Sequence, residues 1–279
     1  MGPVSFSKQI VEDASKLDRV RIEIGSGRVE IVPADGTETV VDLDVDSGPE
    51  DDVAFYIEDG ELIVEGPRNV RGRGPEIQVR IATPSTLEAR IKTGSGDIDV
   101  RMPLSTARLS TGSGDVNVEQ VEGDLGVSTG SGDVQVGHAG GVVRASTGSG
   151  SIDIGEAADA VGLSTGSGDV KVGDAAGPTT VKVGSGDITI ERIRDHSVAT
   201  SGSGDVKVEI ADGPSVQAET ARGDVQIGVP DGVPAYLDLK TVTGRIRCEL
   251  EPGDKPAEGD RTLTLRARTV SGDITVLKV

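Results

Sequence analysis

Six aspartates recur in the same local sequence, and their regular spacing is the first feature of the chain that suggests chemistry. Each directly follows a Gly-Ser-Gly tripeptide, and the set is Asp97, Asp115, Asp133, Asp169, Asp187 and Asp205. Neighbouring members are 18 residues apart, except for one double interval in which Ser151 occupies the aspartate position. Carboxylates repeated at one period bind calcium in some proteins. Aspartates in turns also accept hydrogen bonds from backbone amides.

These two interpretations differ in what holds the carboxylates. If successive aspartates lie one strand spacing apart, about 4.8 Å, each pair repels by roughly 1 kcal/mol in water. The calcium-binding β-roll repeat, Gly-Gly-x-Gly-x-Asp-x-apolar-x, also gives 18 residues per coil, but it carries two aspartate turns per coil where this chain has one. We therefore expect all six aspartates to be structural turn residues. A Ca²⁺ site on the same six residues is the alternative, and no other cofactor is expected.

The apolar residues around each aspartate predict the elements that position it. Apolar residues stand one and three positions after each aspartate, and in the first five copies apolar residues or threonine stand four and six positions before it. A spacing of two is the period of a β-strand, so each 18-residue unit holds one short strand on either side of the Gly-Ser-Gly-Asp turn. The alternation points one set of threonines inward, and these are Thr93, Thr111, Thr129, Thr147 and Thr165.

A unit of this kind buries its apolar side only by stacking on its neighbours. The predicted fold is therefore all-β: a single-stranded parallel β-helix, or β-solenoid, with 18-residue coils. Aromatic residues make up only 1% of the chain, which fits a thin interior of aliphatic residues and threonine. We expect glycine at the corners because it tolerates positive φ, and we expect the threonine hydroxyls to bond along the stack.

The repeat also predicts the domain organisation. Residues 1–84 are less regular and are predicted to be a β region that begins and caps the solenoid, while residues 85–279 form the regular repeats of one continuous domain. An early copy of the turn stands at residues 25–28. Residues 66–75 are predicted to form a loop. Residues 270–279 are predicted to leave an exposed, uncapped strand edge.

Charge and cysteine content restrict the function classes. Lys and Arg total 28, Asp and Glu total 47, and the net charge of −19 predicts no binding to nucleic acid. Cys248 is the only cysteine, so no intramolecular disulfide can form, and its position in the repeat predicts a core residue. No signal peptide or membrane-spanning run is evident. We expect a cytoplasmic protein without membrane insertion, or a cell-surface protein if a leader has been removed.

No catalytic residues are predicted, and we expect the protein not to be an enzyme. The only histidines, His138 and His196, occupy different positions of the repeat, and no nucleophile with a base and an orienting group emerges. Polysaccharide-degrading solenoids use aspartate with arginine or lysine in a groove. A carbohydrate-active β-helix enzyme is therefore an open alternative.

Residues 20–31, VRIEIGSGRVEI, and the Ser-Thr-Gly-Ser-Gly-Asp-Val-x-Val repeats resemble the bacterial DUF4097 β-strand repeat family, whose members are called adhesin-like. The resemblance covers nearly the whole chain. It implies a parallel β-helix without established catalytic residues. The resulting prediction is a non-catalytic scaffold or binding protein whose partner is an unknown protein or a second copy of itself. A calcium-dependent surface adhesin is the alternative function.

Overall fold

The structure is a computed structural model that describes residues 5–67, 74–250 and 262–279. The chain divides into two compact units, Met1–Gly140 and Gly141–Val279. The described residues form β-strands and two single-turn 3-10 helices, Ala14–Lys16 and Glu50–Asp52, neither of them long and apolar enough to cross a membrane. Most of the loop predicted at residues 66–75 lies outside the described residues.

The first unit combines solenoid strands with antiparallel strands at its beginning. Its described strands are β1 Phe6–Asp13, β2 Arg19–Pro33, β3 Glu38–Val45, β4 Ala54–Glu58, β5 Glu61–Glu65, β6 Glu76–Thr83, β7 Leu87–Thr111, β8 Val116–Val121, β9 Leu125–Thr129 and β10 Val134–Ala139. β2 lies between β7 on one side and β5 and β6 on the other, all parallel to it. β7 continues in parallel to β8 and β9, and β8 to β10. β3 pairs antiparallel with β1 and β6, and β4 with β5.

The second unit consists of stacked coils. Its described strands are β11 Val143–Thr147, β12 Ile152–Ala157, β13 Val161–Ser167, β14 Val170–Ala175, β15 Thr179–Ser185, β16 Ile188–Ile193, β17 Ser197–Ser203, β18 Val206–Ala211, β19 Ser215–Arg222, β20 Val225–Val229, β21 Ala235–Thr243, β22 Ile246–Cys248, β23 Leu263–Ser271 and β24 Ile274–Lys278. The odd-numbered strands from β11 to β19 pair in parallel in sequence order, as do the even-numbered strands from β12 to β20. In these pairs Val170 lies opposite Ile188, one 18-residue period later. The predicted parallel β-solenoid is confirmed.

The last two coils are stacked in the reverse of their sequence order. β19 pairs with β23, and β23 pairs in turn with β21, while β24 lies between β20 and β22. The prediction of a free edge at residues 270–279 is therefore wrong, because β23 and β24 have strand partners on both sides. The outermost described coil is instead β21 with β22. The C-terminal turn keeps the aspartate of the repeat at Asp273, whereas the preceding turn carries Arg245 in that position.

The interior is a stack of like side chains. Inward positions on successive coils are fully buried, for example Val116 and Val134 in the first unit and Val170 and Ile188 in the second. The threonines predicted to point inward are also buried, so the predicted alternation is confirmed. The predicted domain boundary between residues 84 and 85 stays a prediction.

Glycine is required in the turns mainly because the coils approach so closely. A Cβ on Gly132 would lie 1.9 Å from the carbonyl oxygen of Gly114 in the preceding coil, and a Cβ on Gly168 would lie 2.1 Å from that of Gly150. Positive φ angles occur at this turn in its early copy, where Gly27 has φ 131°, and in the later coils, where Gly168 has φ 142°. Gly114 and Gly132 do not have positive φ. The expectation of positive φ at every corner therefore holds for only part of the stack, whereas the close contact is common to both units.

Cys248 is exposed, which corrects the prediction that it lies in the core. It stands opposite the buried Val276, so its position in the repeat is an inward one. However, β22 belongs to the outermost described coil, and an inward direction buries a side chain only when a further coil covers it.

Candidate functional site

The predicted aspartates form a series of carboxylate-to-amide hydrogen bonds between coils, which we call the aspartate ladder. In the first unit, the N–H of Asp115 donates to Asp97 Oδ1 at 3.2 Å, and the N–H of Asp133 donates to Asp115 Oδ1 at 3.0 Å. The amide that each carboxylate accepts belongs to the next coil. The side chain therefore joins two coils instead of closing its own turn.

The second unit repeats this arrangement and extends it beyond the predicted residues. The N–H of Asp187 donates to Asp169 at 2.8 Å, and the N–H of Asp205 donates to Asp187 at 2.7 Å. Asp224 and Asp273 continue the ladder with N–H···Oδ1 distances of 2.7 Å each. At its first position, Ser151 Oγ accepts the N–H of Asp169 at a longer 3.4 Å.

The carboxylate is needed because direct backbone pairing is interrupted at the turn. The N–H of Val170 donates to the carbonyl of Asp187 at 2.9 Å, so the next coil's carbonyl is satisfied by backbone. The N–H of Asp187 instead donates its hydrogen bond to the carboxylate of Asp169. The carboxylate is a strong acceptor for this amide, because hydrogen bonds to ionised acceptors are stronger than those to neutral ones. The bond thereby offsets the roughly 1 kcal/mol of repulsion between neighbouring carboxylates.

The buried threonines supply a second set of bonds between coils. Thr165 Oγ1 donates to the carbonyl of Gly150 at 2.9 Å, and Thr111 Oγ1 donates to that of Gly96 at 3.1 Å. The hydroxyls therefore bond along the stack as expected. Their acceptor is the last glycine of the preceding turn, which keeps the turn and the strand before it in fixed register.

Each unit places an arginine at one end of its ladder. Arg28 lies opposite Asp97, with Nη2 3.2 Å from Oδ2, and this hydrogen bond raises the pKa of the Arg28 guanidinium. In the second unit, Arg245 donates its N–H to Asp273 Oδ1 at 2.8 Å and places Nη2 3.1 Å from Oδ2. The backbone bond from Arg245, with the guanidinium charge adding to it, lowers the pKa of Asp273.

The bonds of the ladder limit which carboxylate oxygens could bind calcium. One oxygen of each bonded carboxylate already accepts an amide. Within residues 5–67, 74–250 and 262–279, no three His, Cys, Asp or Glu side chains converge in a group that could hold a metal ion. A calcium ion on the ladder would use the second oxygens of successive aspartates, and this site stays a prediction.

The outermost strand of the second unit, β21, is a further surface of interest, which we call the terminal strand. It pairs with β23 on one edge, and no other described strand pairs with it. Its exposed apolar side chains include Tyr236, 58% exposed, and Val242, 77% exposed. Leu237 stands opposite the buried Leu265, yet it is 39% exposed. The terminal strand thus presents apolar side chains on both of its faces.

Asp238 is the centre of charge on the terminal strand. Its carboxylate lies 3.2 Å from Arg266 Nε, 3.4 Å from Arg268 Nη2 and 3.6 Å from Lys240 Nζ. Desolvation by these neighbours raises the pKa of Asp238, but the charge of Lys240 together with the two arginines holds it below its ordinary value. Asp238 is therefore ionised at neutral pH, beside the exposed Lys240.

The repeat predicted the aspartates of the ladder but not the arginines at its two ends. The signals for Arg28 and Arg245 are present in the sequence, because each stands where the repeat places an aspartate. The exposed terminal strand had no such signal, since only the pairing of β19 with β23 shows that β21 is outermost.

A comparison with curated proteins found no match. Among solved structures, a "putative adhesin" from Bacteroides fragilis is 13% identical with a TM-score of 0.40, and covers 99% of both chains. A "putative adhesin" from Parabacteroides merdae is 17% identical with a TM-score of 0.39, covering 99% of this chain and 96% of that one. A "putative lipid binding protein" from Parabacteroides distasonis is 14% identical with a TM-score of 0.37, with the same coverage. Likeness at this level says nothing about function.

The family comparison is more specific. The model described as Toastrack DUF4097 matches residues 50–277, well over half of the chain. The match includes every predicted ladder aspartate and the two last coils. The resemblance seen in the repeats is thereby confirmed: the chain belongs to the Toastrack DUF4097 family.

Proposed function

We propose that the protein is a non-catalytic scaffold that presents its β-solenoid surface to protein partners. One observation carries the proposal: the repeated polar side chains bond to the backbone of the adjacent coil. Aspartate carboxylates and threonine hydroxyls are held at the turns, as in the bonds of Asp187 and Thr165. These side chains hold neighbouring coils together. The outer faces of the coils are therefore the surface that can recognise a partner.

The outer faces suggest the chemistry of the partner. They carry mixed charges paired between and within coils, such as Lys171 with Glu191 at 3.0 Å and Lys207 with Glu209 at 2.8 Å. The whole chain nevertheless has a net charge of −19. Such a surface attracts basic patches and repels acidic ones. We therefore propose a protein partner with a basic patch, bound with marked salt dependence.

Site-specific crosslinking tests this proposal. A photoreactive residue at Val198, exposed on β17, should capture a defined protein in cells of the source organism, and the same residue at the buried Val181 is the control. The captured protein, once purified, should rebind the chain saturably and more weakly at higher salt. Release of product from a panel of acidic polysaccharides would overturn the proposal in favour of the carbohydrate-active alternative.

The calcium-dependent surface adhesin is separated by a different experiment. Sedimentation velocity in EDTA and then in calcium should show the same folded species in both buffers. A chain that is expanded in EDTA and compacts in calcium would favour the adhesin.

We further propose a cytoplasmic location for the protein. Fractionation of cells, with an antibody against the chain to detect it, would test this location.

A further inference from the structure

The terminal strand is chemically complementary to a second copy of itself that runs antiparallel to it. When Ala235–Thr243 is aligned antiparallel to a second copy of itself about Leu239, each Asp238 lies opposite a Lys240. The same alignment places each Tyr236 opposite a Val242, so the two most exposed apolar side chains of the strand meet. Opposite residues in an antiparallel pair share a face. The charged pairs and the aromatic pairs therefore both form on the outer face.

We propose that two copies of this chain form a two-fold symmetric dimer by antiparallel pairing of their terminal strands, with Leu239 on the symmetry axis. A two-fold interface uses the same patch on both copies, so each favourable pair occurs twice. On the edge of β21 that faces away from β23, the N–H and C=O groups pair with no described strand, and in the dimer they form a ladder of inter-strand hydrogen bonds. Free edges of this kind pair readily with other strands.

Within the described residues, a single copy leaves the terminal strand without a covering coil. Val242 is 77% exposed, and Leu237 and Leu239 belong to the inward row of a coil that no described coil covers. A second terminal strand would lie about 4.8 Å away and would continue that row with its own Leu239 and Leu237. Apolar surface removed from water in this way contributes to association.

The aspartate ladder argues against the other way of adding a copy. Continuing the solenoid head to tail requires a further coil whose turn amide needs a carboxylate acceptor, as the N–H of Arg245 needs Asp273. The position that would supply this acceptor holds Arg245 itself, which has no acceptor atom. An antiparallel strand makes no such turn-to-turn contact, so the closed dimer is favoured over an open filament.

Sedimentation velocity over a concentration series is the first test. The wild-type chain should pass from monomer to dimer as concentration rises. Lys240→Glu places two like-charged pairs across the axis, and it should weaken the dimer by about tenfold or more. Val242→Asp, which places a carboxylate against Tyr236, should do the same. Val198→Asp is the matched control, an exposed valine on β17 that should leave the dimer unchanged.

Disulfide crosslinking tests the register. In a Cys248→Ser background, Leu239→Cys should oxidise to a covalent dimer, since facing residues have Cα atoms about 4.5–5.5 Å apart, within disulfide reach. Lys240→Cys is the control, because two copies of residue 240 are diagonal neighbours about 7–8 Å apart. It should crosslink at most slowly.

The inference rests on the proposed scaffold role, but it can fail alone. A wild-type chain that stays monomeric at high concentration would overturn it. A dimer that persists in Lys240→Glu and Val242→Asp and gives no Leu239→Cys crosslink would also overturn it. In either case, saturable binding of the partner captured at Val198 would leave the scaffold role intact. If Val242→Asp fails to fold, the Leu239→Cys and Lys240→Cys pair still decides the register.

Discussion

Adding one methyl group at a turn glycine tests the coil spacing directly. In Gly132→Ala, the new Cβ would lie 1.9 Å from the carbonyl oxygen of Gly114, whereas an ordinary contact begins at 3.4 Å. The obstacle is backbone, which cannot rotate away as a long side chain can. The two coils must therefore separate locally or the turn must change its path.

The expected cost follows from the bonds at this turn. Inserting an atom into a well-packed region costs about 1–3 kcal/mol. Separating the coils also lengthens the bond from the N–H of Asp133 to Asp115, now 3.0 Å, and that from Thr129 to Gly114, now 3.3 Å. One lost hydrogen bond adds about 1 kcal/mol. We expect a loss of about 3 kcal/mol, which for a chain of this length lowers Tm by roughly 6 °C.

Gly126→Ala is the matched control within the same coil. A Cβ at Gly126 meets nothing closer than 3.9 Å, and alanine restricts the unfolded chain more than glycine does. Its free energy of unfolding should therefore be unchanged or higher by up to about 1 kcal/mol. Unfolding is best followed by far-UV circular dichroism, because the chain has no Trp. Hydrogen exchange should locate the loss in Gly132→Ala to the coils that contact the turn, since repeat arrays open locally.

Two results would contradict a close backbone contact at Gly132. If Gly132→Ala unfolds at the same urea concentration as wild type, the coils are not held at the spacing seen here. If Gly126→Ala loses as much stability as Gly132→Ala, glycine is favoured for a reason other than close approach.

Three further predictions follow from the ladder. Asp187→Ala should lower the free energy of unfolding by about 1 kcal/mol, because the N–H of Asp205 loses its acceptor; Asp187→Asn, which keeps an acceptor oxygen, should lose less in the same urea titration. Because the pKa of Asp273 is lowered in the folded protein, its contribution is present above the unfolded value of about 4 and is lost as pH falls through the folded pKa. The stability advantage of wild type over Asp273→Asn should therefore vanish in acid, and an advantage that is constant down to acid pH would contradict this assignment. Removing calcium with EDTA should leave Tm unchanged; a large drop in scanning calorimetry that calcium reverses would instead support the alternative site on the aspartates.

The ladder also accounts for three positions of the repeat that lack the aspartate. Ser151 replaces an aspartate because its hydroxyl still accepts the amide of Asp169, although at 3.4 Å. Arg245 can replace an aspartate because no described coil stacks on the outer side of its coil. No amide of a described coil therefore requires an acceptor from residue 245. Arg28 replaces one because β2 and β7 pair continuously through this corner, from Gly27 opposite Gly96 onward. The residue type at each position thus follows from whether a neighbouring amide needs a side chain.

The architecture of the coil is legible in the amino-acid sequence. The 18-residue period, the two-residue alternation and the scarcity of aromatic residues are local properties, and a strand that buries one face must stack on copies of itself. They predicted the parallel β-solenoid, the inward threonines and the alignment of the aspartates. They did not reveal that each aspartate bonds to the next coil. The sequence is equally compatible with a carboxylate that accepts an amide of its own turn and one that accepts an amide of the adjacent coil.

The order of the coils, by contrast, emerges only from pairings between distant strands. Nothing local to residues 235–248 shows that the C-terminal coil inserts between β19 and β21. At its turn, the inserted coil both donates and accepts a bond through Asp273, whereas the coil beyond it only donates through Arg245. This pairing is a relation between distant segments. That relation exposes Cys248, which the repeat alone assigns to the core. It also frees the edge of the terminal strand, where the sequence pattern becomes an interface only because no described coil covers it.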